Sequence, residues 1–325
     1  MARTRVFSGM QPTGDVHIGH LIGAFDNWVK MQEDYDTIYC VVDLHAMAVL
    51  YDPKEFKRQR VYLAKMFLAV GVDPQRSLVY YQSDVPQHVE LSWILGTLSG
   101  LGQLQRMTQF KEKSDKSGQN LGLLAYPVLQ AADILIHRVH AVPVGDDQTQ
   151  HLELTRDLAE RFNTRFGEVF PLPERIAPKI GGRVRSLTEP GVKMSSSDLS
   201  PKSRINLTDT PDEIISKIRS AVTDTGTEVA YDWEEKPGIS NLLEILSFFT
   251  GRDVQELAEE HRSGGYGSFK AVVAEAVAAG VKPIREAYQA MSDTEVSEVM
   301  SSSAERARVM AEETMDEVRE VTGLG

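Results

Sequence analysis

The first half of the chain alternates short apolar runs with longer segments of helical periodicity. Apolar, β-rich runs predict strands at 4–8, 37–43, 77–81 and 141–144. Helical spacing predicts helices from about 17 to 32, with Ile22, Phe25 and Val29 on one face, and at 53–70 and 148–162. A capping box of Asp52 and Glu55 is expected to open the helix at 53–70. Strands separated by helices indicate an α/β fold, in which a doubly wound parallel sheet forms the core.

The pattern changes after residue 187. Thr210-Pro211-Asp212-Glu213 reads as a capping box that opens a helix. Further helices are predicted at 239–249, 254–261, 268–279 and 303–321, the last one capped by Ser302 and Glu305. We therefore expect a Rossmann-like domain at 1–187, a loop and linker at 188–204, and an all-helical domain at 205–325. The last helix is expected to pack back on the first domain.

Composition narrows the class of protein. The chain has 325 residues, 42% of them hydrophobic, which suits a globular protein of two domains. Its single cysteine excludes an internal disulfide, and the start has no apolar signal core, so we expect a cytoplasmic location. No apolar run predicts a membrane span. The formal charge of −12 argues against a DNA-binding protein, although 106–116 is locally basic.

A glycine-rich turn follows the first predicted strand. In GMQPTGDVHIGH (9–20), glycines at 9, 14 and 19 precede a helix start, where backbone N–H groups can hold an anion. The glycine spacing fits neither a dinucleotide fingerprint nor a P-loop. His17 and His20 share a helical face. They could bind a metal weakly, donate hydrogen bonds to phosphate, or belong to an ordinary strand–helix turn.

A second stretch, GVKMSSSDLSPK (191–202), reads either as a serine-rich linker or as a loop that closes over phosphates. His17-Ile18-Gly19-His20 resembles the HIGH signature of class I aminoacyl-tRNA synthetases, and Lys193-Met194-Ser195-Ser196-Ser197 resembles their KMSKS signature. The segments 106–114, 131–135, 145–148, 236–243 and 264–270 are similar to the bacterial tryptophanyl branch of that family. The resemblance extends from about Arg5 to the C-terminus.

The resemblance implies that tryptophan is activated with ATP and then transferred to tRNA(Trp). ATP is a substrate, Mg²⁺ is held through its phosphates, and the family is homodimeric. The helical domain is expected to bind the tRNA anticodon region, and 75–130 to contribute to the dimer. A substrate carboxylate is already ionised, so the chemistry needs alignment and charge stabilisation rather than a general base.

The resemblance also implies residue roles. The catalytic set is His17, His20, Lys113, Lys193 and Ser195. The ATP-binding set is Gln11, Pro12, Thr13, Gly19, His20, Gly145, Asp146, Asp147, Val184, Lys193, Met194, Ser195, Ser196 and Ser197. The tryptophan-binding set is Phe7, Gln11, His45, Tyr126, Gln130, Asp133, Val142, Val144 and Gln148, with Asp133 accepting the indole N–H. No metal ligands are expected. His88, His137, His140, His151 and His261 are assigned no role.

The chain departs from the family pattern at three positions. Ser196 stands in place of the second lysine of KMSKS, so one cation near the leaving pyrophosphate is lost. His20 stands where tryptophanyl enzymes often have Asn, and Gln130 where they usually have Met. Three alternatives stay open: a tyrosyl enzyme, a paralogue that binds ligands without charging tRNA, and a small-molecule nucleotidyltransferase.

Overall fold

The computed structural model describes residues 3–107, 120–145, 148–176 and 184–325. Within these ranges the strands are β1 (Arg5–Met10), β2 (Asp36–Val41), β3 (Ser77–Tyr81), β4 (Ala141–Pro143) and β5 (Glu174–Ile176). They pair in the order β3-β2-β1-β4-β5, and every pairing is parallel. The predicted doubly wound sheet is confirmed. The charged sequence of β5 concealed that short edge strand.

Helices cover both faces of this sheet. Those of the first half are α1 (Ile18–His20), α2 (Asp26–Met31), α3 (Asp43–Ala46), α4 (Pro53–Ala69), α5 (Gln87–Gly96), α6 (Leu101–Gln105), α7 (Leu121–Leu135) and α8 (Thr149–Phe166). Those of the second half are α9 (Pro211–Arg219), α10 (Pro237–Thr250), α11 (Val254–His261), α12 (Gly265–Ala290) and α13 (Asp293–Thr322). In the described ranges, no helix combines the length and apolarity needed to cross a membrane.

The helix that follows β1 is not one regular α-helix. A π-helical turn, Leu21–Phe25, separates α1 from α2. Ile22 and Phe25 are buried as predicted, whereas Val29 is only half-buried. A π-turn adds a residue to the helical repeat and rotates the residues after it, so a single 3.6-residue stripe does not describe this segment.

Two predicted capping boxes differ in the structure. Asp52 caps α4 by accepting from the Lys54 and Glu55 N–H groups, but Glu55 does not close the box and instead pairs with Arg58. The box predicted at Ser302 is wrong, because α13 begins ten residues earlier, where Ser292 and Glu295 cap each other. The predicted box at Thr210 and Glu213 is confirmed.

The last helix covers the edge of the sheet. The Ser303 hydroxyl accepts a 2.7 Å hydrogen bond from the Val79 N–H of the edge strand β3. One buried side of α13 also joins the core that contains Leu78 and Tyr80, through Ala304, Ala307, Ala311, Met315 and Val318. Small residues on this side, such as Ala304, Ala307 and Ala311, let the helix approach the strand edge closely and cover it.

Candidate active site

A cleft of about 420 Å³ opens between β1 and β4. At this point the strand order reverses, because β2 and β3 are added on one side of β1, and β4 and β5 on the other. In doubly wound folds this switch point is the usual ligand site. The end of β1 contributes Phe7 to Met10 and the following Gln11, and the segment after β4 contributes Val144, Gly145 and Gln148. Tyr126, Gln130 and Asp133 reach the cleft from α7.

The cleft brings together much of the predicted site. Its lining includes Phe7, Gln11, His45, Tyr126, Gln130, Asp133, Val144, Gly145, Gln148 and Lys193. Other predicted site residues do not line it, namely Pro12, Thr13, His17, Gly19, His20, Val142, Val184, Met194, Ser195, Ser196 and Ser197. Val142 and Val184 are buried in the core. Lys113, Asp146 and Asp147 lie outside the described residues.

Asp133 lies at the base of the cleft and is 1% exposed. Its Oδ1 accepts a 2.7 Å hydrogen bond from Gln82 Nε2, and its Oδ2 lies 2.8 Å from His45 Nε2. His88 Nδ1 lies 2.8 Å from Oδ1. Burial alone would raise the pKa of Asp133, but the two imidazoles outweigh it and hold the pKa at about 2. The cleft therefore presents a carboxylate rather than a carboxylic acid at neutral pH.

Sequence reasoning missed the residues that hold Asp133. His88 and Gln82 are fully buried, and Tyr80 OH lies 3.0 Å from His88 Nε2 and 2.6 Å from His137 Nε2. Gln82 directly follows β3, and a polar residue at the carboxyl end of a parallel strand is a usable signal for a site. His88 and His137 are assigned no role from the sequence because only the fold brings them to Asp133 and Tyr80.

Further polar side chains line the cleft beside Asp133. Gln130 Nε2 lies 3.5 Å from Gln148 Oε1, and Tyr126 OH lies 2.9 Å from His151 Nε2. Asn27 and Trp28 line the cleft from α2 and were missed, since the π-turn places them there. Asn27 is 8% exposed, and its Nδ2 has no hydrogen-bond partner among the described residues.

His17 and His20 form a stacked pair beside the Gly9–His20 turn, with ring centroids 3.9 Å apart. His17 Nδ1 accepts from the Gly19 N–H at 3.1 Å, and His20 Nδ1 accepts from the His17 N–H at 3.2 Å. Since both Nδ1 atoms accept, the proton of each neutral ring is on Nε2. Each ring therefore has an Nε2–H donor, and that of His17 is buried without a partner among the described residues.

Both imidazoles are neutral at physiological pH. Burial, followed by the nearby charges of His20, Arg204 and Lys193, lowers the pKa of His17 to about 2. Burial, then Lys193, lowers the pKa of His20 to about 4.

The loop that carries Lys193 lies against this turn. Ser196 Oγ donates a 2.7 Å hydrogen bond to the Asp15 carbonyl oxygen, and Ser195 and Ser197 hydroxyls lie 2.9 Å apart. Gly14 has a φ of +73°, and a Cβ there would lie 2.8 Å from Ser196 Cβ. The two glycine- and serine-rich segments are therefore in direct contact.

This fold and these two motifs define a class of protein. The family model for class I tRNA synthetases of the tryptophan and tyrosine type matches residues 1–282, and the chain belongs to this family. The tryptophan–tRNA ligase of Caldanaerobacter subterraneus subsp. tengcongensis is 51% identical over 98% of each chain.

Solved structures agree with that assignment. The chain is similar to tryptophanyl-tRNA synthetase from Mycoplasma pneumoniae, with a TM-score of 0.88, 32% identity and coverage of 99% of this chain and 98% of that one. It is also similar to the Campylobacter jejuni enzyme in complex with ADP and tryptophan, with a TM-score of 0.86, 35% identity and coverage of 98% and 100%. The similarity spans both the sheet domain and the helical domain.

Proposed function

We propose that this chain is a tryptophan–tRNA ligase, which forms tryptophanyl-adenylate from tryptophan and ATP and then charges tRNA(Trp). The observation that carries the proposal is the ionised Asp133 at the base of a cleft that Lys193 also lines, in a chain 51% identical to a tryptophan–tRNA ligase along its length. A buried carboxylate suits the indole N–H, and an ammonium group suits a triphosphate.

Tryptophan is assigned to the part of the cleft between β1, β4 and α7. Asp133 accepts the indole N–H, and the rings of Phe7 and Tyr126 with Val144 form the apolar wall, with Val142 behind it in the core. His45 and Gln82 fix the orientation of the Asp133 carboxylate. Gln11, Gln130 and Gln148 lie in the same lining and supply polar contacts to the substrate.

ATP is assigned to the side where the Gly9–His20 turn meets the 191–202 loop. The Nε2–H groups of His17 and His20 donate to phosphate oxygens without carrying charge, and Lys193 supplies the cation. Ser195 and Ser197 add hydroxyl donors, while Pro12, Thr13, Gly19, Gly145 and Val184 contribute backbone and shape. Mg²⁺ is bound through the phosphate oxygens, which are the hard ligands that it prefers.

The reaction needs little proton chemistry from the protein. The tryptophan carboxylate attacks the α-phosphorus, the bond to the bridging oxygen breaks, and pyrophosphate leaves with the negative charge. Alignment and donors aimed at the phosphate oxygens are sufficient for catalysis. Two neutral imidazoles and one lysine are therefore a suitable set, and loss of a second lysine at Ser196 slows the step without abolishing it.

The helical part of the chain, 205–325, is assigned to the anticodon region of tRNA(Trp), with 1–187 as the catalytic domain and 188–204 as the loop between them. A tRNA substrate implies a cytoplasmic location. The family relationship supports this assignment. The charge of the chain does not, because an acidic protein lacks the overall basic character typical of RNA-binding surfaces.

A homodimer is the proposed assembly. Large apolar side chains of α5, α6 and α7 are solvent-exposed, namely Val89 at 53%, Trp93 at 79%, Leu101 at 60% and Leu121 at 77%. Such an exposed group is typical of a protein interface. Trp93→Asp is expected to shift the protein from dimer to monomer in analytical ultracentrifugation. An unchanged sedimentation coefficient would place the interface elsewhere.

The function is tested by ATP–pyrophosphate exchange with each of the twenty amino acids, followed by charging of tRNA. We expect exchange that depends on tryptophan. Exchange with tyrosine alone would indicate the tyrosyl alternative, and exchange with no amino-acid preference would contradict the proposal. Binding of ATP and tryptophan without adenylate formation would indicate a non-charging paralogue. Transfer of the nucleotide to another small molecule would indicate a nucleotidyltransferase.

A further inference from the structure

The segment KPGISNLL (236–243) lies in the helical half, and none of the roles above uses it. Its asparagine, Asn241, lies in α10 and is 1% exposed. Asn241 Oδ1 accepts a 2.8 Å hydrogen bond from the Arg185 N–H, and Asn241 Nδ2 donates to the Arg185 carbonyl oxygen at 3.1 Å. One side-chain amide thus satisfies both backbone groups of a residue 56 positions away.

On its other side, the backbone around Arg185 (residues 184–186) is hydrogen-bonded to the loop that carries Lys193. Ser186 N–H donates to the Val192 carbonyl oxygen at 2.9 Å, and Met194 N–H donates to the Val184 carbonyl oxygen at 3.0 Å. These bonds form an antiparallel bridge that pairs Arg185 with Lys193. The segment 184–186 therefore lies between Asn241 on one side and the backbone of Lys193 on the other.

The helix that carries Asn241 is itself closely fitted. Gly238 packs so tightly that a Cβ there would clash with the Val222 carbonyl oxygen. The Val222 N–H in turn donates to the Leu187 carbonyl oxygen at 2.8 Å, just after the 184–186 segment. A rotation or shift of α10 would thus be transmitted to the backbone that supports Lys193.

We infer that Asn241 is a positioning residue for Lys193, which it holds through Arg185, and that it connects the helical domain to the phosphate-binding loop. The inference rests on the proposed function, because it takes Lys193 to face the ATP triphosphate. Without the amide, the part-buried N–H and carbonyl groups of Arg185 lose their partners, and such groups are costly to leave unpaired. The 184–186 segment would then move, and Lys193 would move with it.

The test is Asn241→Asp, which preserves shape. The carboxylate still accepts from the Arg185 N–H but now faces the Arg185 carbonyl oxygen without a donor. In tryptophan-dependent exchange we expect kcat/KM for ATP to fall about tenfold, with KM for tryptophan changed by less than about twofold. Asn241→Ser, which adds no charge, is expected to show the same pattern to a smaller extent if the Asp variant does not fold.

Asn163 provides a matched control. Its amide makes a similar clamp at the end of α8, donating to the Phe170 carbonyl oxygen at 2.8 Å and accepting from the Val169 and Phe170 N–H groups at 3.1 and 3.0 Å. Asn163→Asp should lower Tm as Asn241→Asp does, but leave the exchange kinetics at wild-type values.

Three results would separate the possibilities. A lower Tm with unchanged kcat/KM for ATP in Asn241→Asp would overturn the inference. An equal decrease of kcat/KM for ATP in Asn241→Asp and Asn163→Asp would also overturn it. A folded wild-type protein with no tryptophan-dependent exchange would instead contradict the proposed function.

Discussion

The Ser196 hydroxyl donates a 2.7 Å hydrogen bond to the carbonyl oxygen of Asp15. This bond joins the loop that carries Lys193 to the turn that carries His17 and His20. The close approach depends on Gly14, which has a positive φ and no Cβ to displace Ser196. At the position where the family motif has a second lysine, this chain has a serine that joins the 191–202 loop to the Gly9–His20 turn.

Ser196→Ala should weaken ATP binding because it removes that bond and leaves the Asp15 carbonyl oxygen without it. A neutral hydrogen bond contributes ~0.5–1.5 kcal/mol, so KM for ATP in tryptophan-dependent exchange should rise roughly two- to tenfold. Ser302→Ala is the control, since Ser302 lies exposed within α13. An unchanged KM in Ser196→Ala would mean that the loop closes without this bond.

Lys193→Ala should slow adenylate formation far more than Ser196→Ala or Ser302→Ala. It removes the one lysine that remains of the two in the family motif. A charge-assisted hydrogen bond contributes ~1.5–3 kcal/mol, which corresponds to about a 10- to 150-fold loss of kcat/KM for ATP. Pre-steady-state adenylate formation measures the step directly. Equal rates of adenylate formation in Lys193→Ala and Ser302→Ala would indicate that residues 191–202 are only a linker.

The sheet could be predicted because β2 and β3 are buried on both faces and therefore form nearly uninterrupted apolar runs. Ile38 to Val41 of β2 are fully buried, and the predicted run at 77–81 coincides with β3. Helix starts were less predictable. Ser302 and Ser292 both precede a Glu by three residues, and only tertiary contact with β3 shows that Ser303 belongs to the middle of α13.

Site residues that belong to a sequence motif could be predicted. Site residues that come together only through the fold could not. Asp133 and Lys193 could be selected from resemblance, and both line the cleft. His88 and Asn241 could not, because each acts on a residue 45 or more positions away through a contact that no local pattern encodes. Gln82 had one signal, its position directly after β3, but its contact with Asp133 is made only in the fold. Asn27 was hidden by the π-turn, which local periodicity does not reveal.

Asp133→Asn should impair tryptophan recognition while leaving ATP recognition nearly intact. The amide would offer one acceptor and one donor to His45, Gln82 and His88, which are arranged around a carboxylate with a pKa of about 2. KM for tryptophan should rise about 10- to 100-fold, and KM for ATP should change by less than about threefold. Asp157→Asn, on the outer part of α8, is the control. Parallel increases in both KM values would place Asp133 outside the tryptophan site.

The His17 and His20 pair should make the stability of the protein depend on pH below neutrality. Their pKa values of about 2 and about 4 lie below the unfolded value of 6.5, so the unfolded chain binds more protons as pH falls below that value. The stabilisation is therefore complete above about pH 6.5 and is lost as pH falls toward the folded pKa values. His20→Asn retains an acceptor for the His17 N–H but cannot be protonated. When the pH is lowered from about 7 to about 5, the free energy of unfolding should decrease in both proteins. The decrease in His20→Asn should be smaller than in the wild type by up to about 2 kcal/mol, as measured by denaturant titration. His140→Asn, at an exposed position, should follow the wild type, and identical losses in all three proteins would show that His20 is not held neutral by the fold.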